Sequence, residues 1–277
     1  MKLPIPIFTK LGNTFTDVTI SKPRAMVIAD TKKSLDSGMV MSAVKTFLSG
    51  CIDSIRSEER TISEKTDIRN MVSLMPYRSA EYCMTQIMLL HDPKNDGAEG
   101  IYRCPRCGKR IISELVKEDD MEIDTRDFIS QLEVLFMEDV SSTFTVSLTQ
   151  PVNIINKQTK DVLLSVESLE LHHPNLNDCI VAETRFGDTD SIRMQFAVYV
   201  EALEKVNGLE IEKKDKVLYG MLIFENIKDA VIDLGALNSE VSKYGINPNI
   251  EKTCPSCSKK FKVPISLSSF FVSGLTI

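Results

Sequence analysis

Two short stretches carry the residues best suited to chemistry: Cys104-Pro105-Arg106-Cys107 and Cys254-Pro255-Ser256-Cys257. Each places two thiols on one tight turn, and together they supply the ligand count of a closed structural zinc site. Zinc is borderline-soft and has no directional demand of its own, so a tetrahedral thiolate shell suits it. Apolar flanks surround both turns: Ile101-Tyr102 and Ile111-Ile112 at the first, Ile250 and Phe261-Lys262-Val263-Pro264-Ile265 at the second. Such flanks describe zinc knuckles on β-hairpins. Cations crowd the turns as well: Arg103, Arg106, Lys109 and Arg110 at one, Lys252, Lys259, Lys260 and Lys262 at the other. They lower thiol pKa values and offset the negative charge of a tetrathiolate zinc. The same residues also suit a solvated basic face or a phosphate-binding surface.

The spacing is unusual. An ordinary zinc ribbon separates its cysteine pairs by about 15–20 residues, whereas 146 lie between Cys107 and Cys254. Either each pair serves its own site, or the fold brings two distant hairpins together on one metal, which is the expected arrangement. A redox dithiol is an alternative reading, but neither pair reads as a helix N-terminus. Disulfides are disfavoured, because nothing at the N-terminus resembles a signal peptide and reducing compartments keep thiols reduced. Cys51, Cys83 and Cys179 read as small hydrophobic residues. His172-His173-Pro174 reads as a loop and His91 as a helix-end residue, so none of the three histidines is expected to ligate metal.

The elements around the turns read as α+β. The chain of 277 residues is 43% apolar and 26% charged, with net charge −6. Its acidic balance speaks against a dedicated nucleic-acid binder, and no apolar run approaches the roughly 20 residues of a membrane span. Thr14 to Ile20, Thr143 to Leu148 and Val162 to Leu171 have strand patterns. Helical spacing predicts a helix over 38–56, N-capped by Asp36 or Ser37. A short helix ending near Leu74, and a helix capped by Ser79 and running to Leu90, follow on either side of Met75-Pro76. Further helices are expected over Ile192 to Leu203 and Ile227 to Leu237, while 113–142 is hard to read.

These elements suggest an internal repeat. Thr14-Phe15-Thr16 echoes Thr143-Phe144-Thr145, the helix with Phe47 and Cys51 parallels that with Phe196 and Leu203, and Cys104 and Cys254 stand 150 apart. The strand echo has an offset of 129, which implies about 20 extra residues between strand and helix in the second half. The expected architecture is two pseudo-repeats, 1–116 and 117–277, each of strands and helices ending in a knuckle, with the two knuckles sharing one four-cysteine zinc.

The proline-ended strand before Pro23, the helix with Cys51, Met75-Pro76 ahead of the first cysteine pair, and the second pair ahead of Leu267-Ser268-Ser269-Phe270-Phe271 occur in a telling order. In that order the chain resembles the baseplate hub assembly proteins, or assembly chaperones, of T-even-type contractile-tailed bacteriophages. Members usually carry glycine after the second cysteine of a pair. Gly108 fits, but Ser258 departs, so a less regular second knuckle is expected, and the middle of the chain is longer than in many relatives.

The resemblance implies a non-enzymatic viral protein, zinc-stabilised, that helps build the tail baseplate hub in the host cytoplasm and either stays in the virion or leaves it. Other hub or tail proteins would be its partners, with no membrane or nucleic acid; the tail residues Leu267, Phe270 and Phe271 either contact such a partner or cap the protein's own core. Consistently, the sequence holds no Gly-x-x-x-x-Gly-Lys, His-Glu-x-x-His or Gly-x-Ser-x-Gly pattern. Two other classes stay open. One is a zinc-ribbon nucleic-acid-binding protein of a phage transcription or replication apparatus. The other is a metal-dependent or thiol enzyme, which would need an open coordination position that four cysteines do not leave.

Overall fold

The structure is a computed structural model that describes residues 1–91, 101–112, 133–156, 158–186, 191–227, 229–247 and 249–264. A first antiparallel sheet joins β1 (Lys2–Phe8), β2 (Thr14–Ile20), β3 (Ile52–Arg56) and β4 (Thr61–Ile62), in that spatial order, with shifts of register between β1 and β2 and between β2 and β3. Helices α1 (Ala25–Asp36) and α2 (Val40–Cys51) separate β2 from β3, and α3 (Lys65–Ser73) and α4 (Tyr77–His91) follow β4. A hairpin of β5 (Ile101–Arg103) and β6 (Arg110–Ile112) comes next. Past the short β7 (Val134–Leu135), a second antiparallel sheet joins β8 (Thr143–Ile155), β9 (Val162–His172), β10 (Leu203–Val206) and β11 (Leu209–Glu210), again in that order. Helices α5 (Leu176–Phe186) and α6 (Ser191–Ala202) separate β9 from β10. Helices α7 (Lys213–Glu225) and α8 (Ala230–Val241), strand β12 (Gly245–Ile246) and the hairpin β13 (Asn249–Thr253) with β14 (Lys260–Pro264) complete the described chain.

Each sheet carries its own apolar core. Phe15, Phe47, Ile55, Ile68, Met75 and Ile87 centre the first, and Val166, Leu169, Val200, Leu203, Ile223 and Leu237 the second. Leu176, the first residue of α5, is buried in the first core and not the second. The expected boundary at 116/117 falls outside the described residues.

Several local expectations need correction. The helix over 38–56 starts at Val40 and ends at Cys51; Ile52 and Ile55 keep a helix-like spacing of three but pair with β2 as β3, where a shift of register between Ile52 and Ser54 lets both be buried. Ser37 does not start that helix. It closes α1, donating from Oγ to Lys33 O at 2.9 Å, before Gly38 turns the chain at φ 75°. Ser79 is not a cap either. Its Oγ donates to Ile5 O (2.7 Å) and accepts from Ile5 N (2.9 Å), fastening α4 to β1. Thr14 opens β2, which leads into α1, whereas Thr143 opens β8, and β9 leads into α5. Thr14 and Val162, which open the strands leading into α1 and α5, stand 148 apart. Alternation marks any half-buried strand and cannot say which strand of a hairpin it is. Helices α1 and α5 have no counterpart in the sequence reading; α1 buries only Thr31 fully, so its stripe is faint.

Polar contacts join the sheet regions at separate points. Tyr77 N donates to Pro174 O (2.8 Å) and Leu176 N to Met75 O (3.1 Å), so the turn before α4 meets the turn before α5. The Glu183 carboxylate accepts from Met41 N at 3.0 Å, in the first turn of α2. There it satisfies a helix N–H that has no intrahelical partner. Arg78, on α4, reaches across to β12: its guanidinium donates to Ile246 O and to Tyr244 O, and pairs with Glu81.

The two histidines beside that junction titrate in opposite directions. His172 is not in a loop: it ends β9, with Nδ1 2.7 Å from Glu204 Oε1 and Nε2 2.8 Å from Asp178 Oδ2. Burial pulls its pKa down, but the bonds to Asp178 and Glu204 outweigh that and raise it to about 9. His173 is buried against the Phe144 ring, centroids 5.3 Å apart, and burial lowers its pKa to about 4. His172 therefore contributes stability that is complete below its unfolded pKa and is lost as pH rises toward about 9. His173 contributes stability that is complete above pH 6.5 and is lost as pH falls toward about 4. Urea titrations at pH 6.5 and pH 9 are expected to show a loss of about 3 kcal/mol at most from this source. His172→Gln should abolish that loss; if wild type and variant fall equally, the two carboxylate contacts are not made.

Candidate metal centre

The six-residue loops that carry the cysteines are alike in detail. In the first, Arg103 pairs with Arg110 across β5 and β6; in the second, Thr253 pairs with Lys260 across β13 and β14. Cys104 N donates to Lys109 O at 3.0 Å, and Cys254 N to Lys259 O at 2.9 Å. Gly108 N and Ser258 N each donate back to the first cysteine's carbonyl at 2.9 Å. Proline after each first cysteine fixes φ and removes a donor, which holds the turn open toward the sulfurs. The second knuckle is thus as regular as the first, against the expectation drawn from Ser258. Ser258 takes the left-handed conformation itself, at φ 55° beside the 68° of Gly108.

That conformation is costly for any residue with a Cβ. Ser258→Gly is expected to stabilise the protein by about 0.5–1 kcal/mol, with glycine's larger unfolded-state entropy setting the limit. Gly108→Ser should cost a similar amount. Chemical denaturation of the metal-loaded protein measures both, and a destabilised Ser258→Gly would contradict the turn geometry.

The fold brings the two turns together. All four Sγ atoms of Cys104, Cys107, Cys254 and Cys257 lie within 4.8 Å of one another. Cys104 Sγ is 3.6 Å from Cys257 Sγ, and Cys107 Sγ is 3.7 Å from Cys254 Sγ. Sulfurs about 2.3 Å from a tetrahedral zinc stand about 3.8 Å apart, so the cluster has the size of a closed tetrathiolate shell. Cys104 and Cys254 are buried, Cys257 is half-buried and Cys107 is exposed.

The thiols themselves point to a cation. The Cys107 backbone N–H, aided by that of Arg106 and by the thiols of Cys257 and Cys107, outweighs burial and lowers the Cys104 pKa to about 6. At Cys254, burial raises the pKa, but the N–H groups of Ser256 and Cys257 and the neighbouring thiols carry it below the usual value. The Lys259 N–H also favours the Cys257 thiolate, yet burial and the three crowding sulfurs raise its pKa to about 11. Four sulfurs at this separation cannot all ionise without a positive charge among them, and a divalent metal provides it.

No protein-family model, curated protein or solved structure matches the chain. Its chemistry is therefore read from the site alone.

The other sequence candidates fall elsewhere. Cys51 and Cys83 are buried, and burial pushes both thiols up to about 12, with Asp53 adding to the effect at Cys51. Burial raises Cys179 as well, so all three behave as apolar side chains. Among the described residues, the four knuckle cysteines are the one group able to hold a metal, and neither His172 nor His173 joins it. The side chain of His91, and Leu267, Phe270 and Phe271, lie outside the described residues. Arg103, Arg106, Lys109, Lys259, Lys260 and Lys262 are exposed on the knuckles. Among the described residues, no helix is long and apolar enough to cross a membrane.

Proposed function

We propose that this chain is a non-enzymatic structural protein of phage tail baseplate hub assembly, held together by one structural zinc. The observation that carries the zinc is the convergence of four sulfurs from hairpins 146 residues apart in sequence. A shell of four thiolates fills tetrahedral coordination and leaves no position for substrate, so such a metal fixes geometry and does not react. Each hairpin follows a run of two strands, two helices, two strands and two helices with the same sheet order, the second run adding the short pair β7 and β12 at its ends. That agreement supports an internal duplication in which each half donates one knuckle, and superposing the halves tests it.

The baseplate assignment rests on the order of motifs in the sequence. Its test is co-purification from phage-infected cells followed by mass spectrometry of mature particles. Recovery with hub proteins supports the assignment, and recovery with none of the tail proteins overturns it. The exposed cations of the knuckles favour a second reading, a nucleic-acid-binding protein. For that reading, log affinity for DNA should fall steeply and linearly with log salt.

A further inference from the structure

Three helices line an open cleft of about 310 Å³ in the first half, remote in sequence from the cysteines. Asp30 of α1 forms one wall, Thr46 and Ser49 of α2 the floor, and Lys65, Thr66 and Arg69 of α3 the other wall. Positions 65 and 69, and 66 and 69, share one face of a helix, so the basic wall follows from the sequence spacing. Gly50 lets α1 close over α2 here, since a Cβ would meet Val27 Cγ2 at 2.5 Å.

The walls are chemically unequal. Arg69 makes no ion pair among the described residues, nor does Asp30 opposite. Lys65 is held at the cleft by donating to Ile52 O at 3.1 Å, and lies 3.9 Å from Asp53. Burial, and then the charge of Arg69, lower the pKa of nearby Lys45, which places another cation beside this wall. The first turn of α3 adds the helix N-terminus: the Glu64 side chain makes no capping bond, and neither Glu64 nor Asp67 lines the cleft. Those N–H groups and cations suit an anion.

We propose that this cleft binds a small hydroxylated phosphate ester, the phosphate against Arg69, Lys65 and the first turn of α3, and a ligand hydroxyl donating to Asp30. The planar guanidinium takes phosphate oxygens in a fork. Asp30 would repel a bare anion, so it selects ligands that carry a donor at the far end. The volume lies at the low end of ligand sites, which suits a three- to six-carbon ester over a larger group.

Glycerol 3-phosphate, inorganic phosphate and glycerol are the probes, titrated into the metal-loaded full chain with amide resonances and heat as readouts. Glycerol 3-phosphate is expected to bind saturably, tighter than inorganic phosphate, and to shift resonances of 25–36, 40–51 and 65–73, while glycerol leaves them unmoved. Arg69→Ala should weaken glycerol 3-phosphate about tenfold or more, the value of one charge-assisted contact. Asp30→Asn should remove the preference over inorganic phosphate. Both side chains are exposed, and an unchanged thermal midpoint shows that each variant folds. Absence of saturable binding by either phosphate, shifts centred on the cysteine hairpins, or undiminished binding by Arg69→Ala overturns the proposal.

Discussion

Replacing any one of Cys104, Cys107, Cys254 or Cys257 by serine is expected to release close to one equivalent of zinc per chain and to lower stability by several kcal/mol. The four sulfurs are mutually within 4.8 Å, so each removal opens a quarter of one shell. Structural zinc contributes on the order of 10 kcal/mol or more in isolated fingers. Here each half has its own apolar core, so the loss should be smaller and should fall mainly on the contact between hairpins. Chelation of the wild type should reproduce the effect, and Cys51→Ser, at a buried site outside the cluster, should retain full zinc. Elemental analysis with thermal unfolding decides the matter. One equivalent bound by wild type and none by the variants is the expected pattern. Two equivalents in wild type, or variants that keep half the metal, would mean that each pair serves a separate site.

The four-cysteine cluster was legible because its chemistry is local. Cys-Pro-x-Cys states both the ligands and the turn, and the apolar flanks state the hairpin. The distance between pairs left two arrangements open, separate sites or a shared one, because the contacts that decide between them leave no local mark; the shared cluster was the one expected. Arg78 reads as an ordinary helix residue in Tyr77-Arg78-Ser79-Ala80, yet it is buried and bonded to carbonyls 166 and 168 positions away. Glu183 likewise caps a helix 142 positions distant. Helix α1 leaves little signal because its apolar stripe is short and half-exposed, and the end of α2 is hidden because Ile52 and Ile55 continue its helical spacing into an irregular strand. The spacing of Lys65 and Arg69 puts two cations on one helix face, but the cleft they line needs α1, α2 and α3 all placed, so nothing in the sequence marks that face as a wall.

Arg78→Ala is expected to be the most damaging change outside the metal centre, costing about 3–5 kcal/mol. The Arg78 and Glu81 side chains are 10% and 9% exposed, so the carboxylate has little water to replace its partner. The carbonyls of Tyr244 and Ile246 lose their donors in the same step, and each buried acceptor left unmet adds to the cost. Gly245, between them, sits at φ 98° with room only for the arginine: a Cβ there would lie 2.9 Å from Arg78 Cβ. Burial already raises the Glu81 pKa, against the pull of Arg78 and Tyr77. Removing Arg78 leaves burial less opposed and raises it further. A carboxyl whose folded pKa exceeds its unfolded value contributes stability at low pH that is lost as pH rises through the folded pKa. The deficit of Arg78→Ala relative to wild type should therefore be smaller at pH 5 than at pH 7. Glu81→Gln in the Arg78→Ala background should recover part of the loss at pH 7, because it removes the unpaired charge but not the unmet carbonyls. Urea midpoints for the three proteins at both pH values test this directly. A loss below about 1 kcal/mol, the range of an exposed pair, or a deficit that grows toward pH 5, would show that Arg78 does not clamp α4 to β12.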